Sequence, residues 1–471
     1  MNRLKLFLEN FLIYGLGSVL SKAVPLLMLP IITRLMPDTF YFGLNDMSSV
    51  VISFGSALAI MGMYDAMFRM FFDKDDKEYQ KAICSSAFGF TIITSVIIFG
   101  ILIMFRKQFA DLFFDSPQYM NLLFLSAISI LIGSTNTIVS APTRMNNQRK
   151  RFLIINTISP IISYSISIPL LINKMYLIAL PLAGVISACF TEIIFAVLNR
   201  KWFSFKSIKF KYIKQMLVIA LPLVPNFLIY WIFNSSDRLM ITKIIGADYT
   251  GIYAIGGKIG QISQLIYTAF AGGWQYFAFS TMKDNDQVEL TSKIFEYLGI
   301  ITFSCSIIMA VFSELGFKII FTGSYVEGAI VAPYLFAAPL LLMLFQIACN
   351  QFLIIKKTWP NMFILLGGAL LNVIINAVLI PTIGIEGAAI GTLVGYVVSV
   401  VVCIIVLTKM ELISISNKFF TCTMIVVIYS VLWRLVFKNS VLISGTLAIS
   451  VIGIMIYLYR NELKFLFKKK K

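Results

Sequence analysis

Apolar positions in this chain come in long continuous blocks that do not alternate with polar ones, and short polar turns separate the blocks. A continuous apolar run of about 20 residues is what a helix needs to cross roughly 30 Å of hydrocarbon, whereas a transmembrane barrel needs alternation. Fourteen such runs can be read, near 11–33, 40–68, 82–104, 120–143, 152–172, 176–198, 214–236, 249–279, 293–312, 328–355, 360–380, 386–408, 418–437 and 440–459. The pattern predicts an all-α polytopic membrane protein with about 14 transmembrane helices. The first run continues without a small-residue cleavage site, so a first helix is expected there and not a removed signal peptide.

Within the runs, polar residues recur at helical spacing and form narrow stripes. The first helix carries Asn10, Tyr14, Ser18, Ser21 and Lys22, and the second carries Asp46, Ser49, Ser53 and Ser56. The seventh carries Pro222, Asn226, Tyr230, Asn234 and Asp237; the eighth carries Lys258, Gln261, Gln264, Thr268 and Gln275. Shorter stripes are Asn136, Ser140 and Arg144, then Gln346 and Asn350, then Asn372 and Asn376. Ser, Asn and Gln in such stripes serve as helix-to-helix hydrogen bonding. The charges are more costly. Lys22 lies roughly 17 Å from the inner end of its helix, Lys258 roughly 12 Å from the outer end of its own, and Asp46 about 10 Å from the outer end. Two readings stand for the lysines: they line a watery cavity, or they pair locally and snorkel. Asp46 is a counter-ion for Lys22 or Lys258, or takes part in ion coupling.

Charge then fixes the expected orientation. Hydrophobic residues make up 59% of the 471 and charged ones 13%, against roughly 25% charged in soluble domains. With the N-terminus inside, 28 of the 39 Lys and Arg fall in cytoplasmic segments and 9 in outer ones, so both ends are expected in the cytoplasm. That split accounts for the net charge of +17 without a nucleic acid partner. The basic inner loops can also touch anionic lipid headgroups. Asp237 and Arg238 are expected to end helix seven at the outer mouth, as an interfacial ion pair or as substrate contacts, with Lys243 in the outer turn. Glu386 is expected to cap the twelfth helix.

Absences narrow the chemistry further. There is no His, no phosphate-binding GxxxxGK[ST] loop, no clustered metal ligand set and no loop long enough for an external catalytic domain. The six cysteines sit in or at the edge of apolar runs and read as small core residues. No catalytic residue, metal or cofactor is expected, and the protein is not expected to be an enzyme. Energy would come from a proton or sodium gradient, the membrane potential or the substrate's own gradient. A cavity whose deepest charges are cationic prefers an anionic solute such as a phosphate, with Tyr, Asn and Gln suited to sugar hydroxyls.

The segment ITRLMPDTFYFGL (32–44) has a relative in ITKIIGADYTGIY (241–253), each at an outer turn between an odd and an even helix. The expected organisation is a first repeat over 1–205, a second over 206–409, and two further helices with a basic tail over 410–471. Duplicated halves with a site between them are a transporter architecture.

Three stretches carry a family resemblance: GLGSVLSKAVPLLMLPIITRLM, SSDRLMITKIIGADYTGIYAIGGKI (Ser235 to Ile259) and LNVIINAVLIPTIGIEGAAIGT (Leu371 to Thr392). In this order and over this length the chain resembles Wzx-type polysaccharide flippases, in the superfamily that also holds multidrug and toxic compound extruders and lipid II flippases. The resemblance implies a V-shaped pair of six-helix lobes with alternating access. It also implies transfer of an undecaprenyl-diphosphate-linked oligosaccharide across a bacterial cytoplasmic membrane, for O-antigen, capsule or a related polymer. Membrane lipids, and a polymerase with chain-length machinery, are the implied partners. The expected cavity residues are Lys22, Asp46, Asn226, Tyr230, Asn234, Asp237, Arg238, Lys258 and Gln261. Lipid II flippases carry cavity arginines on their first two helices; here Lys22 is the nearest counterpart, which speaks against lipid II. The rival readings are an ion-coupled drug extruder on the same fold and a membrane enzyme of the same pathway.

Overall fold

The computed structural model describes residues 24–280, 286–357, 359–438, 440–460 and 462. Among these, the regular structure is helical throughout, with no strand. The helices are α1 (Val24–Leu35), α2 (Thr39–Ile60), α3 (Met63–Phe71), α4 (Lys77–Met104), α5 (Arg106–Phe114), α6 (Met120–Met145), α7 (Arg149–Ile172), α8 (Tyr176–Asn199) and α9 (Phe210–Ala220). They continue with α10 (Val224–Ile244), α11 (Ala247–Gly260), α12 (Ile262–Ser280), α13 (Gln287–Ile320), α14 (Ala332–Ile354), α15 (Trp359–Ile383), α16 (Ile385–Lys409), α17 (Asn417–Leu432) and α18 (Val441–Leu458).

Each of the fourteen apolar runs meets a helix. Twelve are long and apolar enough to cross a membrane. The other two are α1, of which the described part is short, and the eighth run, which breaks at Gln261 into α11 and α12. Helix seven also has a break, a 3-10 turn at Leu221–Leu223 around Pro222, because proline removes a backbone donor from the helical ladder. Helices are the form the chain takes here because hydrocarbon cannot satisfy backbone groups. Side chains close what remains: Asp38 accepts from Phe40 N at 2.9 Å at the start of α2, and Asp76 accepts from Glu78 N at 3.1 Å at the start of α4. Two serines of the α2 stripe bond back to their own helix, Ser49 to the Asn45 carbonyl and Ser53 to that of Val50.

By contacts the chain separates into two units, Met1–Ala254 and Ile255–Lys471, and the division falls inside α11. In the first unit, one core gathers Leu44, Met47, Val51, Phe113, Phe114, Leu123 and Ile130 from α2, α5 and α6. A second gathers Met63, Met67, Phe71, Ile83, Trp202 and Met216. In the second unit, α15 and α16 pack closely through Gly387 and Gly391, where an added Cβ would lie 2.6 Å from Leu379 backbone and 2.1 Å from the Asn376 side chain. Small residues at such spacing let membrane helices approach. Asn372 donates to Thr392 Oγ1 across that contact at 3.1 Å, so this stripe joins helices.

Two expectations at helix ends change. Helix seven runs on to Ile244, so Asp237 and Arg238 lie inside α10 and Lys243 occupies its last turn. Glu386 does not cap α16. It is buried, its carboxylate grips the Arg434 guanidinium with both oxygens, and it accepts from Tyr334 Oη at 2.8 Å. The cap position is held by Gly384, with no side-chain cap bond. A carboxylate buried beside an arginine and a phenol gains more from them than from backbone donors at the water boundary.

Candidate functional site

Within the first unit, α2 and α10 bring together residues far apart in the sequence. Arg238 Nε lies 2.6 Å from Asp46 Oδ2, with the two side chains 16% and 6% exposed. One turn back, the Asn234 carbonyl accepts from Arg238 Nη1. The neighbouring Asp237 is buried; its carboxylate accepts from the Arg238 backbone N–H at 2.9 Å and from the Tyr253 hydroxyl of α11. Two carboxylates, one guanidinium and one phenol thus form a continuous buried network. Arginine stays charged at any accessible pH, so its charge is already matched by Asp46 before any solute arrives.

The surroundings hold this network in place. Thr242 and Thr250 share a hydroxyl contact of 2.7 Å across the α10–α11 turn. Gly246 in that turn has φ +105, a conformation open to glycine because it lacks a Cβ. Trp231 donates to the Val50 carbonyl at 3.4 Å and packs on Phe54 with centroids 4.7 Å apart. Lys243 reaches the Asp115 carboxylate at 2.8 Å and the Asp111 carbonyl at 2.6 Å.

Asp46, Asn234, Asp237 and Arg238 are therefore brought together. Asn226 and Tyr230 continue the same α10 stripe, half-buried, and the Tyr230 carbonyl accepts from Asn234 Nδ2 at 2.7 Å. Lys258, half-buried on α11, and Gln261, exposed at the α11–α12 break, belong to the second unit. Lys22 lies outside the described residues. Asp46, read from the sequence as a counter-ion for Lys22 or Lys258 or as a participant in ion coupling, pairs with Arg238 among the described residues. Tyr253 is a participant that periodicity did not single out, since its stripe is on a different helix from Asp237.

The second unit has its own buried polar knots. Besides Glu386, Arg434 and Tyr334, Glu296 on α13 accepts from Ser416 N at 2.6 Å, from Ser416 Oγ at 2.8 Å and from Tyr459 Oη at 2.7 Å. These ties fix α17 and α18 to α13 and α16. Glu296 escaped the search for charges because it lies near the start of the apolar run 293–312, where a solvated carboxylate is the ordinary expectation; α13 in fact begins at Gln287.

Twelve helices among the described residues that are long and apolar enough to cross a membrane define a multi-pass membrane protein. The chain belongs to the family described as polysaccharide biosynthesis protein, whose model matches residues 31–330. A curated relative, the uncharacterized membrane protein MJ1068 of Methanocaldococcus jannaschii, is 27% identical over 237 residues, which are 47% of this chain and 47% of that one. The matched part thus spans about half of the relative's length. Among solved structures, the lipid II flippase MurJ in an inward closed conformation is similar over 96% of this chain and 100% of its own, with a TM-score of 0.72 and 15% identity. An inward-facing MATE family multidrug resistance transporter is similar over 84% and 98%, with a TM-score of 0.61 and 12% identity. A Vibrio cholerae MATE transporter follows with 0.59, 14% identity and 88% and 98% covered. At these identities the likeness is one of fold.

Proposed function

We propose that this protein is a flippase that carries undecaprenyl-diphosphate-linked oligosaccharide units from the cytoplasmic to the outer leaflet of a bacterial cytoplasmic membrane by alternating access. The observation that carries the proposal is the match to a polysaccharide biosynthesis family over residues 31–330. The polar stripe of α10, with Asn226, Tyr230 and Asn234, supplies groups suited to sugar hydroxyls. The diphosphate is assigned to Lys258 and Lys22, the two cations that the sequence places deep in its apolar runs. The lipid tail can stay in the bilayer throughout. Surface polymer synthesis, with a polymerase and chain-length machinery downstream, is the setting in which such a step is needed.

One observation favours a second reading. In the α2–α10 network carboxylates outnumber the guanidinium two to one, which suits a cation, and so an ion-coupled extruder of cationic compounds. Deleting the gene separates the two. The flippase reading expects a lipid-linked glycan to accumulate on the cytoplasmic face and surface polymer to disappear. Unchanged glycan pools together with new sensitivity to cationic drugs favour the extruder.

A further inference from the structure

Residues 200–214, the connection from α8 to α9 (200–209) together with the first residues of α9, are not used by the transport reading. They include Arg200, Lys201, Lys206, Lys209, Lys211 and Lys214, and no Asp or Glu. The stretch is built, with two short 3-10 turns at Arg200–Trp202 and Phe205–Ser207. Two adjacent serines of α4 hold its backbone: Ser85 Oγ accepts from Ser204 N at 3.0 Å and Ser86 Oγ accepts from Lys209 N at 2.9 Å. Trp202 is buried with its ring centroid 5.4 Å from that of Phe71. Ile208 fills the space over Gly89, where a Cβ would meet Ile208 Cδ1 at 2.8 Å.

On this fixed backbone Phe205 and Phe210 point away from the protein, 76% and 79% exposed. They stand where one apolar span ends at Trp202 and the next begins at Phe210. Orientation signals require only the lysines. They do not require two bare aromatic rings between those lysines, or a backbone pinned so that the rings face outward.

We propose that residues 200–214 are a docking surface for anionic phospholipid headgroups. Phe205 and Phe210 enter the boundary between headgroups and acyl chains, and the six cations pair with lipid phosphates. Charge complementarity selects this occupant: a surface of six cations without a carboxylate attracts an anionic leaflet, and each charge near such a surface strengthens the attachment about fivefold. The segment between the two repeats is thereby anchored to one leaflet.

Hydrogen exchange on the full chain in nanodiscs tests this. The amides of 203–211 are expected to exchange about tenfold more slowly in discs containing phosphatidylglycerol than in discs of phosphatidylcholine alone. The variant K206Q/K209Q/K211Q/K214Q is expected to lose that difference, and F205S/F210S to reduce protection in both discs. Unchanged exchange across α4 confirms that the variants are folded. Equal exchange of the natural chain in the two bilayers overturns the proposal, and so does a lipid-dependent difference that persists in a folded quadruple variant. If that variant does not fold, the comparison of the natural chain between bilayers decides alone.

Discussion

Gly43 of α2 and Gly251 of α11 face each other with reciprocal geometry. A Cβ on Gly43 would lie 1.9 Å from the Ala247 carbonyl oxygen, and a Cβ on Gly251 would lie 2.0 Å from that of Thr39. Each glycine thus meets the carbonyl one turn before the other. The two glycines lie near the ends of ITRLMPDTFYFGL and ITKIIGADYTGIY.

That contact gives a first prediction. Gly43→Ala or Gly251→Ala forces backbone apart and is expected to destabilise by about 1–3 kcal/mol or more. Gly133→Ala meets nothing within 4 Å and is expected to be neutral or to gain up to about 1 kcal/mol from helix propensity. Thermal unfolding in detergent distinguishes them, and equal behaviour of the three variants refutes the close-packing account.

Arg238→Ala leaves Asp46 and Asp237 buried without their cation. A loss of about 3–5 kcal/mol is expected. Asp46→Asn is expected to cost less, since Arg238 keeps the Asn234 carbonyl. A melting experiment in which Asp46→Asn proves the worse of the two contradicts this ordering.

Arg434 is the partner of a carboxylate that is itself buried. Arg434→Ala is expected to loosen α17 and α18, raising their hydrogen exchange, while Arg434→Lys recovers part of the protection because the bidentate geometry is lost but the charge remains. If Arg434→Ala leaves the exchange of α17 and α18 unaltered, Glu386 is not what holds them.

Lys418 hydrogen-bonds Glu462 at 2.9 Å and holds its carboxyl below the ordinary carboxylate value. A depressed acid stabilises the fold above its unfolded value, about 4.3, and the contribution is lost as pH falls through the lower folded value. Because the pair is largely exposed, Glu462→Gln is expected to cost less than about 1 kcal/mol at neutral pH, with no difference from the natural chain in strong acid. A difference that grows on acidification contradicts the sign.

For transport, Lys258→Ala and Lys22→Ala are expected to lower surface polymer several-fold while the protein inserts at normal levels. Immunoblotting of membranes and quantification of the polymer measure both. Full polymer in both variants removes the lysines from diphosphate binding.

The sequence by itself determined the helices, because each one is dictated locally: hydrocarbon demands about 20 apolar residues and full backbone satisfaction from any segment that crosses it. It also determined the α10 stripe from Asn226 to Asp237, since a face repeats at fixed spacing. What only the tertiary structure decided is which charge answers which. Asp46 meets Arg238 and Glu386 meets Arg434 because helix packing, governed by contacts such as Gly43 with Gly251, sets which faces touch. Periodicity places a residue on a face of its own helix and carries no information about the helix opposite. For the same reason the sequence ended helix seven at its charges: a charge in an apolar run reads as the water boundary until a buried partner such as Asp46 is found to offset its desolvation.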